Sequence, residues 1–314
     1  MIVRALAAMG RHSRLLLVAG LLGGLAWPQA AGILRPHLTE LIVALLFFAA
    51  LQVDPREYRL TRAGLARDVA LVLVLQLLLP VLLAGALHLI GWIGPAATML
   101  VLIGTASTIS GSPPIAQMLG LSASKALRLL VAGTLLLPVT SLVPLRMLFG
   151  SVEDFSIIAP ALRLAAIILV SAGGAWLVRT VILPRMQPNA EQAVGGITAL
   201  LLAVFVLALM DAVQPALFTD PWQVAAALAF AFAVCVGLQV AAALAYSRLT
   251  RSEDGSVAGA VGVVAGNRNI ALFLAALPAS QMDPLMVLVG CYQIPMFLTP
   301  IVMGPFYRGL VGRA

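Results

Sequence analysis

Charge is the scarcest property of this chain of 314 residues, at 10% Asp, Glu, Lys and Arg. Soluble domains carry roughly a quarter, so a soluble globular fold is excluded. Cysteine is nearly absent. Cys235 and Cys291 both sit inside apolar runs, where a thiol packs as a small hydrophobe rather than joining a disulfide or a metal site. No paired Cys/His spacing occurs, which removes the ligand sets for zinc and for haem attachment. His12, His37 and His88 all fall near the ends of apolar runs, as interfacial residues do. Without a Gly-x-x-x-x-Gly-Lys loop the chain is no ATP-driven pump unless a partner supplies the ATPase. Serine–histidine, paired-aspartate and His-Glu-x-x-His arrangements are missing from the apolar runs, so no enzyme is expected.

What is abundant is hydrocarbon: 62% of residues are hydrophobic and the mean hydropathy is +1.07. Runs this long and apolar cross a bilayer. The expected fold class is an all-α polytopic membrane protein of about ten transmembrane helices. Windows of about 19 residues place them at 15–34, 38–53, 69–90, 95–119, 127–149, 156–183, 193–213, 222–246, 257–278 and 285–307. Arg4, Arg11 and Arg14 before Leu15–Ala26, with Pro28-Gln29-Ala30 after it, also imitate a signal peptide. The helix reading is preferred because the symmetry described next needs it.

The formal charge of +7 points to topology and not to nucleic acid. With the N-terminus inside, the inner ends hold Arg4, Arg11, Arg14, Arg56, Arg59, Arg62, Arg67, Lys125, Arg128, Arg179, Arg185, Arg248, Arg251, Arg308 and Arg313. The outer ends hold Arg35, Arg146 and Arg163. That asymmetry is the positive-inside signal and sets both termini in the cytoplasm. Ten spans divide as five plus five, residues 1–150 and 151–314, with Glu153 and Asp154 in the outer loop between them. Five is odd, so the second half enters from the opposite side, the inverted-repeat plan of many secondary transporters.

The fourth span of each half carries a polar interruption. In the first half it is Gly104-Thr105-Ala106-Ser107-Thr108-Ile109-Ser110-Gly111-Ser112-Pro113-Pro114, whose prolines cannot continue a helix. In the second it is Gly266-Asn267-Arg268-Asn269, inside the apolar stretch Val263–Ala275. A mid-membrane arginine costs about 2.5–3.5 kcal/mol on insertion scales. Snorkelling and a simple kink are the bland readings. A matched pair of broken spans points instead to a transport site, where half-helix N-termini suit anions and C-termini suit cations. Ser107, Thr108, Ser110, Asn267, Arg268 and Asn269 are the candidate substrate-binding residues. Thr105, Ser112, Gln76, Thr134, Gln239 and Gln293 are possible supports, each alone also readable as helix–helix glue. Asp211 reads as interfacial, and Pro138, Pro144, Pro295 and Pro300 as bends around the broken spans.

At these residues the chain resembles the bile acid:sodium symporter superfamily. Gly104-Thr105-Ala106-Ser107 is similar to the start of that family's fourth-span Gly-Thr-Ala-Ser-Asn motif. Gly266-x-x-Asn269 lies where its Glu-x-Gly-Met-Gln-Asn motif falls, and Gln76-Leu77-Leu78-Leu79-Pro80 looks like its third-span Gln-x-x-x-Pro. The resemblance implies a core of spans 3–5 and 8–10, in which spans 4 and 9 cross, and a panel of spans 1, 2, 6 and 7. It also has departures: the family's sodium-binding Glu falls at Val264, its Gln at Arg268 and its fourth-span Asn at Thr108. A cation beside an unpaired arginine is repelled, so sodium coupling is not expected and no cofactor is implied. Arg268 either binds an anionic substrate or replaces a structural cation. The related arsenite exporters carry a fourth-span cysteine that this chain lacks. The expectation is an inner-membrane secondary transporter of a small organic anion; a receptor that kept the fold, or an auxin-efflux-like carrier, is the alternative.

Overall fold

The computed structural model describes residues 6, 13–52, 62–150, 156, 158–183, 186–250 and 254–312. Arg4, Arg11, Arg56, Arg59, Glu153, Asp154, Arg185, Arg251 and Arg313, used above for topology, and His12, read as interfacial, lie outside the described residues. Nearly everything described is helix. Among the described residues seven helical stretches are long and apolar enough to cross a membrane: Pro28–Leu51, Gly64–Leu89, Ala123–Thr140, Ile158–Ile182, Pro188–Thr219, Pro221–Thr250 and Ala279–Val302. Large apolar side chains such as Leu89, Ile93, Leu169 and Trp222 point outward, which lipid tolerates and water does not. This is a multi-pass membrane protein.

The N-terminal helices show how the chain reverses. Ser13–Ala26 stops at Trp27, Pro28 opens the next helix, and a 3-10 turn at Arg35–His37 leads into Leu38–Leu51. Gly20 packs on Ala203, and Gly24 on Leu207 and Met210, so the first helix runs parallel to Pro188–Thr219. Gln52 bonds Thr198 while Arg35 bonds Asp211, so Leu38–Leu51 runs antiparallel to that same helix. The connection expected between the first two spans is thus a tight helical turn.

Proline and carbonyl geometry shape the other helices. The chain kinks at Ser141, three residues beyond Pro138, and at Met303, three beyond Pro300. One turn of π-helix, Val74–Leu78, interrupts the helix at Gln76; two more, Leu169–Gly173 and Val178–Ile182, loosen the segment that begins at Ile158. A π-turn releases carbonyls from the regular ladder, and such turns recur at functional sites.

Two segments never form a long helix. Pro95–Thr105 is followed, after a break, by Ser112–Met118; Gly255–Gly266 is followed by Ala271–Ala276. Both are buried at their centres, whereas the long helices present apolar faces outward. Glycine permits that burial. A Cβ on Gly262 would press on the Gln239 carbonyl, and one on Gly266 would meet the Cys235 carbonyl and the Gln239 side chain. Small residues therefore let Gly255–Gly266 lie directly against Pro221–Thr250, as in other close membrane crossings.

Candidate functional site

The two breaks meet. Pro95–Thr105 ends because Ala106 is extended, at φ −62° and ψ 151°, and Pro113 and Pro114 permit only a fresh start. Gly255–Gly266 ends where Asn267 leaves helical geometry at φ −98° and ψ 83°. The freed strands pair as a short antiparallel bridge between Thr108 and Arg268. Asn269 N–H donates to the Ser107 carbonyl at 2.7 Å, and Ile109 N–H to the Asn267 carbonyl at 3.0 Å. The Thr108 hydroxyl donates to that same Asn267 carbonyl at 2.8 Å and shares a 2.6 Å contact with the Ser112 hydroxyl. Two broken helices could each leave several backbone groups unsatisfied in hydrocarbon. Pairing the breaks with one another satisfies two of the freed N–H groups and two of the freed carbonyls.

Arg268 closes the crossing. Its side chain is 1% exposed, the largest fully buried side chain described. Nε donates to the Ala265 carbonyl at 2.8 Å, Nη1 to the Ala106 carbonyl at 2.9 Å, and Nη2 to the Leu75 carbonyl at 3.4 Å. Those acceptors share a cause. Ala265 and Ala106 stand at the C-terminal ends of the two half-helices, and Leu75 lies in the π-turn. All three carbonyls carry the negative end of a helix dipole or a released lone pair, so a planar cation with diverging donors fits among them. Among the described residues no carboxylate pairs with the guanidinium, so its charge is balanced by carbonyl dipoles alone.

A buried polar chain supports the second break. The Tyr292 hydroxyl donates to the Gly266 carbonyl at 2.5 Å. The Thr299 hydroxyl lies 3.1 Å from Asn267 Oδ1, Gln239 Nε2 donates to Thr299 at 3.1 Å, and the Tyr307 hydroxyl donates to Gln239 Oε1 at 2.9 Å. Gln76 does similar work at the first break, donating to the Gly133 carbonyl at 3.1 Å. Both glutamines tie helices together. Two atoms of the crossing, Ser107 Oγ and Asn267 Nδ2, are buried and have no partner among the described residues.

Beside the crossing lies a cavity of about 130 Å³. One wall is hydrocarbon, with Leu45, Leu46 and Ala49 from one helix and Leu202 and Phe205 from another. The facing wall carries Ser110, Asn269, Thr134 and Gln293 among apolar residues such as Leu130, Val131, Met296 and Phe297, and Arg268 contributes to it. Among the described residues the side chains of Ser110, Thr134 and Asn269 have no hydrogen-bond partner, and no Asp or Glu lines the space.

The twelve residues singled out from the sequence therefore divide. Ser110, Asn269, Thr134, Gln293 and Arg268 reach the cavity wall; Thr108, Ser112 and Asn267 build the crossing; Gln76 and Gln239 brace it; Ser107 is buried within it. Thr105 bonds only the Val101 carbonyl of its own helix, at 2.8 Å. Sequence reasoning missed Tyr292, Thr299 and Tyr307, since a buried hydroxyl in an apolar helix carries no signature of its partner. It also missed two ion clusters. Asp68, 2% exposed, accepts from Lys125 Nζ and, at 2.8 Å, from Arg128 Nε. Arg35, read above only as an outer basic residue, bonds both Asp211 and Asp283 at 2.9 Å. The scarcity of acids was the available signal: a carboxylate at the edge of an apolar run seeks a cation.

No protein-family model matches the chain, and comparison with curated proteins finds no match.

Proposed function

We propose that the chain is a secondary-active transporter of a small organic anion, working by alternating access, and a divergent member of the bile acid:sodium symporter superfamily. The observation that carries this reading is the crossing of two broken helices through an antiparallel bridge beside a cavity. Non-helical backbone at membrane depth is tolerated where it is buried in protein or lines a cavity, and paired broken spans point to a transport site. In this reading the helices make ten crossings in a five-plus-five inverted repeat. The opposed directions of Ser13–Ala26 and Leu38–Leu51 support counting them as two crossings, though only Pro28–Leu51 is long enough in one stretch. Helices of residues 13–52 and 158–219 form the panel, and the remainder forms the core.

Arg268 supplies the electrostatics. Of the two roles open to it, the three-carbonyl cradle favours that of a built-in cation that holds the crossing together. Its charge still reaches the cavity as a field, and an anion there is attracted without a direct guanidinium contact. A crossing that carries its own cation has no need of sodium.

Alternating access requires one side to be shut. Among the described residues two side-chain hydrogen bonds tie panel to core, and both lie at the same end: Arg35 to Asp283 at 2.9 Å, and Arg163 to the Ala276 carbonyl at 3.5 Å. The positive-inside orientation makes that end the outer one, so in this reading the outer side is the one held shut. Arg35 is 38% exposed, and each exposed bridge contributes about 0–1 kcal/mol. Arg35→Ala is therefore expected to leave the melting temperature nearly unchanged. It should raise the rate at which an impermeant thiol reagent labels a Ser110→Cys reporter from outside, by up to roughly tenfold. An unchanged labelling rate would remove the gating role.

Counterflow in proteoliposomes tests the proposal as a whole. Labelled substrate should accumulate against unlabelled substrate, with or without sodium. Binding without any flux would instead indicate a receptor that kept the fold.

A further inference from the structure

The cavity beside the crossing restricts what can occupy it, and the restriction deepens the transporter reading, on which it rests. We infer that the ligand is a monocarboxylate with one compact apolar body, about the size of a benzene ring.

Charge comes first. The single formal charge on the lining is that of Arg268, and no Asp or Glu lines the space among the described residues. A desolvated monoanion is balanced by that field. A second carboxylate, or a phosphate dianion, would be buried without a counter-charge, which is strongly unfavourable. An amino acid is excluded by the same reasoning, because its ammonium group would meet a like charge and no carboxylate.

Polar capacity comes second. Ser110, Thr134 and Asn269 face the space with unpartnered polar groups, and Thr134, at 7% exposure, is buried yet bonds to nothing described. Gln293 uses only its Nε2, donating to the Val289 carbonyl at 3.4 Å. These groups stand on one wall. Two or three charge-assisted hydrogen bonds to a carboxylate would use them, and a sugar or polyol would leave hydroxyls against Leu45, Leu46 and Phe205.

Size comes third. About 130 Å³ is available. An apolar cavity of about 150 Å³ holds benzene, so the apolar body here is no larger than one ring or one short branched alkyl group. A fused polycyclic skeleton does not fit in this conformation. The ligand thus lies across the gap with its carboxylate on the core wall and its hydrocarbon on the panel wall.

Titration calorimetry on the purified full-length chain in detergent would test this with five probes: benzoate, benzamide, phthalate, phenylalanine and a steroid carboxylate. Benzoate is expected to bind tightest, roughly tenfold or more over benzamide, because a hydrogen bond to a charged group is the stronger kind. Thr134→Val, nearly isosteric, should weaken benzoate and leave benzamide less affected. Ala49→Phe should fill the apolar side and remove benzoate binding while the melting temperature is kept. Tighter binding of phthalate, phenylalanine or the steroid carboxylate overturns this assignment of class but leaves a transporter. Equal binding of benzamide and benzoate overturns the charge argument alone. If none of the five binds, the ligand class fails; the transporter reading fails with it only if a wider set of small organic anions also gives no counterflow in proteoliposomes.

Discussion

Replacing Arg268 by methionine is expected to destabilise the protein by about 3 kcal/mol or more and to abolish transport. The estimate follows from three buried carbonyls, Ala265, Ala106 and Leu75, that would lose their donor together. Each unsatisfied buried acceptor costs about 1–3 kcal/mol. Removing the charge recovers some desolvation, which sets the lower figure. Arg268→Lys should recover little, because an ammonium group cannot reach three diverging acceptors as a planar fork does. The same geometry predicts a new ion response. The wild-type chain should show no sodium-specific thermal shift, its cation being covalently attached. The methionine variant leaves an oxygen-lined vacancy, and a monovalent cation saturating it at a hundred times its dissociation constant would restore about 2.7 kcal/mol. Melting curves of both proteins in sodium against potassium at equal ionic strength decide the matter. A methionine variant with normal melting temperature and normal transport would sink the claim that this residue organises the crossing.

Much of this arrangement was legible in the residues, and the reason is chemical. Pro113-Pro114 and Gly266 through Asn269 break apolar runs, and a break in hydrocarbon is conspicuous wherever it occurs. Thr134 and Gln293 were legible only as polar groups inside spans; that both face one cavity depends on how their helices rotate, which a helix apolar all round does not encode. The destination of Arg268 was equally hidden. Its partners are backbone carbonyls from three segments, and a carbonyl has no sequence identity. Leu75 in particular accepts because a π-turn frees it, and VLQLL is not distinguishable from an ordinary helical run. Span limits were blurred for a related reason. Pro28–Leu51 continues through a 3-10 turn, so composition alone does not mark where the chain reverses.

Asp68→Asn is expected to cost about 3–5 kcal/mol, the range for breaking a buried ion pair from one side. Asp68 and Lys125 side chains are 3% and 6% exposed, so water screens neither, and the substitution would strand an ammonium group near the Tyr246 ring, 5.7 Å from its centroid. The cluster joins the helix Arg62–Leu73 to Ala123–Thr140. If its role is only to hold those helices, the double variant Asp68→Leu with Lys125→Met should regain most of the lost stability, because well-packed hydrocarbon replaces a buried pair at little net cost. The informative outcome is then transport by the double variant. Stability regained together with wild-type counterflow assigns the cluster to packing. Stability regained with counterflow lost means that these charges rearrange during the cycle, since nothing else in the folded core would have changed. A single Asp68→Asn variant as stable as the wild type would show that the pair contributes nothing, and would remove the premise of both readings.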